Sequence, residues 1–430
     1  MSVEQFRIPS DHAETLVDAK AYADGRIYDT HAWLRKNLPI GRAEPEGYDP
    51  FWVITRYDDL RAISRDNQAF HSGDRSIVLT SHASELLVRK LTGDKPFFVR
   101  TLVQMDPPDH MKYRLLTQGW FAPNRIGALQ ERLDKLAAAS VDKMRSRDGA
   151  CDFAAEIGLH YPLEVIMDIL GVPKEDHQFM LQLTQEVFAP LDPDSMPEGL
   201  DLDNPAFLAE ANKATLDRIG AYFSRITEDR RRQPRDDLSS VIANAQVDGQ
   251  AISEMDTQGY YTIVATAGHD TTSSSIAAAM HALAADPKLF SRLKADAGLI
   301  PAFVQEAIRW AAPVKTFMRS ATKDADFQGA PFRAKDWIML CYASANRDEA
   351  VIRDADKFDI DRPKFDHVSF GYGAHVCLGQ HLARLEMKIL FEHLVPALKS
   401  VALDGEVELS QSFFVNGAKH LPIRFELEAN

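Results

Sequence analysis

The sequence predicts a mainly α fold with small peripheral β-sheets. Three observations carry that reading. Between about residues 125 and 312, apolar positions recur mostly at helical spacing. Strand-like runs of aromatic and β-branched residues gather nearer the two ends. The 430 residues also run without an internal repeat, a low-complexity tract or a Gly/Ser-rich linker, so residues 1–430 are read as one large domain. A composition 45% hydrophobic and 26% charged suits a large core and excludes a disordered chain.

Taken in order, the opening segment "MSVEQFRIPSDHAETLVDAKAY" is polar and acidic, with no apolar signal core. No later stretch offers the roughly 18 apolar residues of a membrane span, so a cytoplasmic protein without membrane contact is expected. "FWVITR" (51–56) reads as a strand and "YDDLRAISRD" as an acid-started helix behind it. In "MDPPDHMKYRLLTQGWFAP" (105–123) a helix can begin after Pro107 and Pro108. That helix would set His110 and Arg114 one turn apart, where they either clamp a carboxylate or form a solvated helix start. "IGALQERLDKLAAASVDKM" and "AAAMHALAADPKLFSRLKADA" are helical by period. The Pro- and Asp-rich segment 189–207 reads as a loop, a surface connection at its simplest and a mobile lid as the alternative.

Two segments carry polar knots. In "YYTIVATAGHDTTSSSIAAAM" (260–280), Gly268, Asp270, Thr271 and Thr272 interrupt an apolar helix. Either Asp270 or Thr271 caps a helix that starts at "SSIAAAM", or a long central helix runs through, distorted where a hydroxyl replaces a backbone hydrogen bond. In "PAFVQEAIRWAAP" (301–313), Glu306 and Arg309 share a helix face at i, i+3. Further on, "FQGAPFRAKDWIML" reads as a hairpin around Gly329 and Pro331, while "DWIMLCYA" (336–343) and "HLPIRFEL" (420–427) read as strands.

A formal charge of −14 argues against nucleic acid as a partner, because phosphate binding needs a clustered basic face. Cys151, Cys341 and Cys377 are far apart and form no C-x-x-C, which excludes a disulfide framework, a structural zinc site and an iron–sulfur cluster. Cys377 alone has a distinctive setting, "FGYGAHVCLGQHLAR" (370–384). Leu378, Leu382, Leu385 and Ile389 follow at helical spacing, so the cysteine precedes a helix N-terminus, whose N–H groups and dipole favour a thiolate. Gly371, Gly373 and Gly379 leave room for a flat neighbour, or supply positive φ, or both. The bland alternative is a glycine-rich turn around a buried thiol.

The whole string resembles the F-x-x-G-x-x-x-C-x-G haem-binding loop of the cytochrome P450 family, through Phe370, Gly371, Gly373, His375, Cys377 and Gly379. The resemblance implies that Cys377 is the axial iron ligand of haem b, that Phe370 covers its sulfur and that His375 bonds a propionate. Other motifs follow in family order. Glu306 and Arg309 resemble the E-x-x-R pair, and Arg362 in "FDIDRPKF" the later arginine bonded to it, a structural trio. His110, Arg114 and Arg319 resemble propionate-binding residues. "AGHDTT" resembles the central-helix motif, in which Ala267 and Gly268 border the haem and the acid–alcohol pair Asp270 and Thr271 delivers protons. "GYDPFW", "ATAGHDTTSSS", "APVKTFMR" and "CLGQHLARLEMKI" are similar to the soluble bacterial branch that includes the α-terpineol hydroxylase.

The family likeness implies the fold as well, with haem between a long central helix and the cysteine loop. It implies a haem-thiolate monooxygenase that hydroxylates a C–H bond with O2 and two electrons from an iron–sulfur ferredoxin and its NAD(P)H-dependent reductase, since no flavin or nicotinamide segment is evident. Lys112, Arg384 and Lys388 are candidates for that docking face. By resemblance the substrate pocket takes Val264, Ala267, Thr316, Phe317, Phe413 and Phe414, mostly apolar, which suits a monoterpene or an aromatic hydrocarbon. A haem-based sensor or carrier and a peroxide-driven haem-thiolate enzyme are the alternatives, and the acid–alcohol pair speaks against both.

Overall fold

Helices dominate the computed structural model, which describes residues 3–188, 192, 205–363 and 365–429. The expected 189–207 loop lies largely outside the described residues, although Pro205 already opens a helix, Pro205–Arg232. Among the described residues, no helix is long and apolar enough to cross a membrane.

The largest sheet has five strands, in the order Ile40–Ala43, Phe51–Ile54, Trp337–Cys341, Thr316–Ala321 and Phe70–His71. "FWVI" is buried at every position because it lies inside this sheet, antiparallel to Ile40–Ala43 and parallel to Trp337–Cys341. Strand alternation then divides its side chains between two cores: Phe51 and Val53 pack with Met318, Trp337 and Met339, while Trp52 and Ile54 pack with Ile338 and Leu340. The expected hairpin forms from Ala325–Phe327 and Ala330–Phe332, turning at Gln328 and Gly329 with φ of +53° and +85°.

Pro422–Leu427 is a strand, as its pattern predicts, flanked by Leu398–Leu403 and by Ala150–Asp152. That last strand was not legible, since three residues inside a helical stretch carry no period of their own. The small hairpin Gln246–Val247/Gln250–Ala251 turns on Asp248-Gly249, a D-G signal that the helical reading passed over.

Most of the remaining apolar side chains form one core between helices. The stretch "AAAMHALAADPKLFSRLKADA" is two helices, because Asp286 caps the second by accepting from the N–H groups of Lys288 and Leu289 and Pro287 takes its first position. The Asp270–Ala285 helix packs on Ile300–Ala311 and Leu398–Leu403, and the Gln380–Ala397 helix packs on Gln130–Arg145 and Ile300–Ala311. The helix of "IGALQERLDKLAAASVDKM" proper is Gln130–Arg145, preceded by a separate turn at Pro123–Gly127.

Candidate active site

The cysteine loop is short-range geometry that glycine permits. Gly371 and Gly373 have φ of +70° and +72°, and a Cβ on Gly373 would collide with the Ser64 carbonyl. Gly379 takes an ordinary negative φ, and a Cβ there would meet only Cys377 Sγ, at 3.9 Å. The Cys377 N–H donates to the Phe370 carbonyl at 2.8 Å, and the Gln380–Ala397 helix starts directly beyond Gly379. Burial raises the Cys377 thiol pKa; the Gly379 N–H, Arg114, Arg384 and the Gln380 N–H pull it down without prevailing. The helix-end N–H groups do favour the thiolate, as the sequence implies, but desolvation outweighs them, and a cation at the sulfur would tip the balance.

The central helix lines the same cavity as the loop and is broken at one turn, Glu254–Ala267 followed by Asp270–Ala285. Neither Asp270 nor Thr271 acts as a side-chain cap, because the N-terminal flanking residue is His269. Instead a run of hydroxyls bonds back one turn: Thr271 Oγ1 to the Ala267 carbonyl at 2.9 Å, Ser274 Oγ to Asp270 at 2.8 Å and Ser275 Oγ to Thr271 at 3.0 Å. Thr272 Oγ1 donates to Glu386 Oε1 at 3.2 Å. Burial drives the Glu386 carboxyl pKa well up, and its Oε2 has no hydrogen-bond partner among the described residues.

A basic cluster closes one edge. The Asp109–Gln118 helix begins right after Pro108 and carries His110 and Arg114. The His110 ring lies 4.1 Å from the His375 ring, centroid to centroid, and both His110 nitrogens are buried without a partner. Burial, Arg114 and Arg319 hold the His110 pKa down to about 4. Arg114 donates to the Val376 carbonyl at 2.6 Å, Arg319 to the Met318 carbonyl at 2.7 Å, and His375 Nε2 lies 3.3 Å from Ser72 Oγ. Among the described residues no carboxylate pairs with any of the four. Orphaned buried donors around an uncompensated positive patch fit the carboxylates of a haem edge.

Glu306, Arg309 and Arg362 come together below the loop. Glu306 accepts from Arg309 Nε and Nη2, both at 2.7 Å, and from Arg362 Nε at 3.4 Å. Arg309 also donates to the carbonyls of Asn346, Ala355 and Lys357. Asn346 in turn receives the Val368 N–H and donates to Ser369 Oγ, so the trio is tied to the segment leading into the cysteine loop.

Between these parts lies one cavity of about 590 Å³ that takes in Cys377, the basic cluster and an apolar chamber. Val264, Ala267, Gly268, Thr271, Phe317, Phe413 and Phe414 line it. Thr316 does not: strand alternation turns it into the protein, where it is 1% exposed and donates to the Phe413 carbonyl at 2.9 Å. Asp270 does not line the cavity either, its carboxylate turning toward His269. Phe98, Val99, Leu102, Val78 and Leu79 also line it, from loops and a short 3-10 turn with no periodic signal. The suggested docking residues are already engaged: Lys112 with Asp248, Lys388 with Glu392, and Arg384 over the Phe370 ring at 4.2 Å. Sequence reasoning passed over His269 and Glu386, although both stand in the quoted motifs.

Residues 76–415 match the family model described as cytochrome P450. The chain is 43% identical over 419 residues to cytochrome P450-terp of a Pseudomonas species, covering 97% of this chain and 98% of that one. It is 32% identical over 402 residues to a methyl-branched lipid omega-hydroxylase of Mycobacterium bovis, covering 91% and 89%. Among solved structures, CYP108D1 from Novosphingobium aromaticivorans aligns with a TM-score of 0.90 at 40% identity, covering 98% of this chain and all of that one.

Proposed function

The chain belongs to the cytochrome P450 family and is a monooxygenase that uses haem b; on that premise we propose that it hydroxylates a C–H bond of a small apolar substrate, a monoterpene or an aromatic hydrocarbon. The observation that carries the proposal is the apolar chamber joined to the Cys377 loop in one cavity, within the size range of small-molecule sites. The likeness to cytochrome P450-terp supports the terpene alternative. Haem, when bound, supplies dioxygen activation, which a thiolate ligand favours by pushing electron density toward O–O cleavage.

The residues have distinct work in this reading. Cys377 is the iron ligand, and His110, Arg114, Arg319 and His375 hold the propionates. Thr271 faces the cavity and holds a proton at Oγ1, with Asp270 as the acid that resupplies it. Phe317, Phe414 and Val264 exclude water and hold the substrate by shape and apolar burial. Glu306, Arg309 and Arg362 brace the loop. Residues 1–430 act as one domain in the cytoplasm, with electrons from a separate iron–sulfur ferredoxin and its NAD(P)H-dependent reductase.

The test has two steps. The dithionite-reduced, carbon monoxide-bound protein should show a strongly red-shifted Soret band that Cys377→His abolishes. Terpenes and small aromatics should then shift the ferric spin state and be hydroxylated with ferredoxin, reductase and NADH, but not with peroxide alone. A Soret band unchanged in Cys377→His removes the ligand assignment; binding of long lipids in preference to small hydrocarbons overturns the substrate class.

A further inference from the structure

Asp270 is placed oddly for a proton-delivering acid. Thr271 faces the cavity, while the Asp270 Oδ2 lies buried, 3.4 Å from His269 Nδ1 and without another partner. His269 is 0% exposed, and its ring nitrogens meet the Leu159 carbonyl, the Thr184 hydroxyl and the Asp270 carboxylate. Nε2 is 2.8 Å from the Leu159 carbonyl oxygen, which can only accept, so Nε2 bears a proton. Nδ1 is 3.2 Å from Thr184 Oγ1, and Thr184 gives its own hydroxyl proton to the Leu181 carbonyl at 2.9 Å. That oxygen therefore also meets the ring as an acceptor, as does the Asp270 carboxylate. An imidazolium, with a proton on both nitrogens, suits these three neighbours. Burial opposes the charge, yet Asp270 and the Leu159 carbonyl outweigh it and raise the ring pKa. The other titratable groups near this turn are His160 on the His160–Leu170 helix, whose own pKa is lowered by burial, Lys143 and His269, and Glu386, bonded to Thr272.

We propose that His269 is a positioning residue for proton delivery: as a buried imidazolium it holds the Asp270 carboxylate turned from the cavity, and ties it through Thr184 to the His177–Phe188 helix. That helix lines the cavity with Val187, so the acid's orientation is coupled to the wall that meets the substrate. The inference rests on reading Asp270 and Thr271 as the relay. Asp270 must leave His269 to reach the Thr271 hydroxyl, and the ion pair sets how readily it does so.

Nitrogen-15 NMR of the histidine-labelled holoenzyme, in the diamagnetic ferrous carbon monoxide form at pH 8, reads the ring directly. The resonance lost in His269→Gln should carry protons on both nitrogens, and in Asp270→Asn it should revert to the neutral ring protonated at Nε2. A neutral His269 in the unmodified protein overturns the proposal. The second arm is product formed per NADH. His269→Gln should lower it roughly tenfold, less than the 10²–10⁴ of an acid–base group that transfers the proton itself, and raise the solvent isotope effect. His269→Gln/Asp270→Asn should be no worse than Asp270→Asn alone. If Asp270→Asn keeps full coupling, the relay reading falls and takes this inference with it. If Asp270→Asn loses coupling and His269→Gln does not, only the positioning role falls. Should His269→Gln fail to hold haem, the Asp270→Asn spectrum decides: the His269 ring must lose its Nδ1 proton.

Discussion

Replacing Glu306 by Ala isolates the energetics of the buried brace. The Glu306 and Arg309 side chains are 4% and 1% exposed, so removing the carboxylate leaves a guanidinium uncompensated in the interior. It also strips the acceptor from Arg362 and from the Asp359 N–H, which donates to Glu306 Oε1 at 2.8 Å. Breaking one partner of a buried pair costs about 3–5 kcal/mol. Set against a typical total of roughly 5–15 kcal/mol, that is a fifth or more of the stability and on the order of a 10²- to 10⁴-fold change in the folded ratio. Lys213→Ala is the control, because Lys213 and Asp217 are 45% and 62% exposed and an exposed pair contributes about 0–1 kcal/mol. Urea unfolding followed by circular dichroism, with the haem content of purified protein alongside, compares the two. If Glu306→Ala stays within about 1 kcal/mol of the control, the brace is not buried charge pairing and the reasoning fails.

Three further outcomes are expected. Thr271→Ala should keep haem and substrate binding but release electrons as peroxide, read as a fall in product per NADH; unchanged stoichiometry counts against the Oγ1 role. Gly373→Ala should lower haem incorporation strongly, because the residue has φ +72° and its Cβ would strike the Ser64 carbonyl, whereas Gly379→Ala, in ordinary van der Waals contact, should be mild in the same haem assay. His31 is fully buried with neither ring nitrogen bonded, and burial, then Arg35, Arg347 and Lys315, hold its pKa to about 3. Its folded pKa lies below the unfolded value of about 6.5, so the unfolded chain binds the extra proton; stability is complete above pH ~6.5 and falls as pH drops toward 3. His31→Phe should remove about 2 kcal/mol of the loss between pH 7 and 5, measured by urea titration at both values; an unchanged loss refutes the assignment.

What the sequence by itself determined is local. Helical period, the hairpin around Gly329 and the positive φ open to Gly371 and Gly373 follow from steric and hydrogen-bonding preferences within a few residues. The motifs "AGHDTT", "EAIR" and "FGYGAHVCLG" were legible for the same reason, and the structure brings them around one cavity. What only the tertiary structure decided is direction and environment. Thr316 turns inward because alternation along its strand puts it on the face opposite Phe317, and Asp270 turns to His269, whose ring meets Thr184 and the Leu159 carbonyl. Cys377 loses its helix-end advantage to burial. These are contests between desolvation and charge, whose outcome depends on which distant segments close over a group, and no periodicity in the chain encodes that.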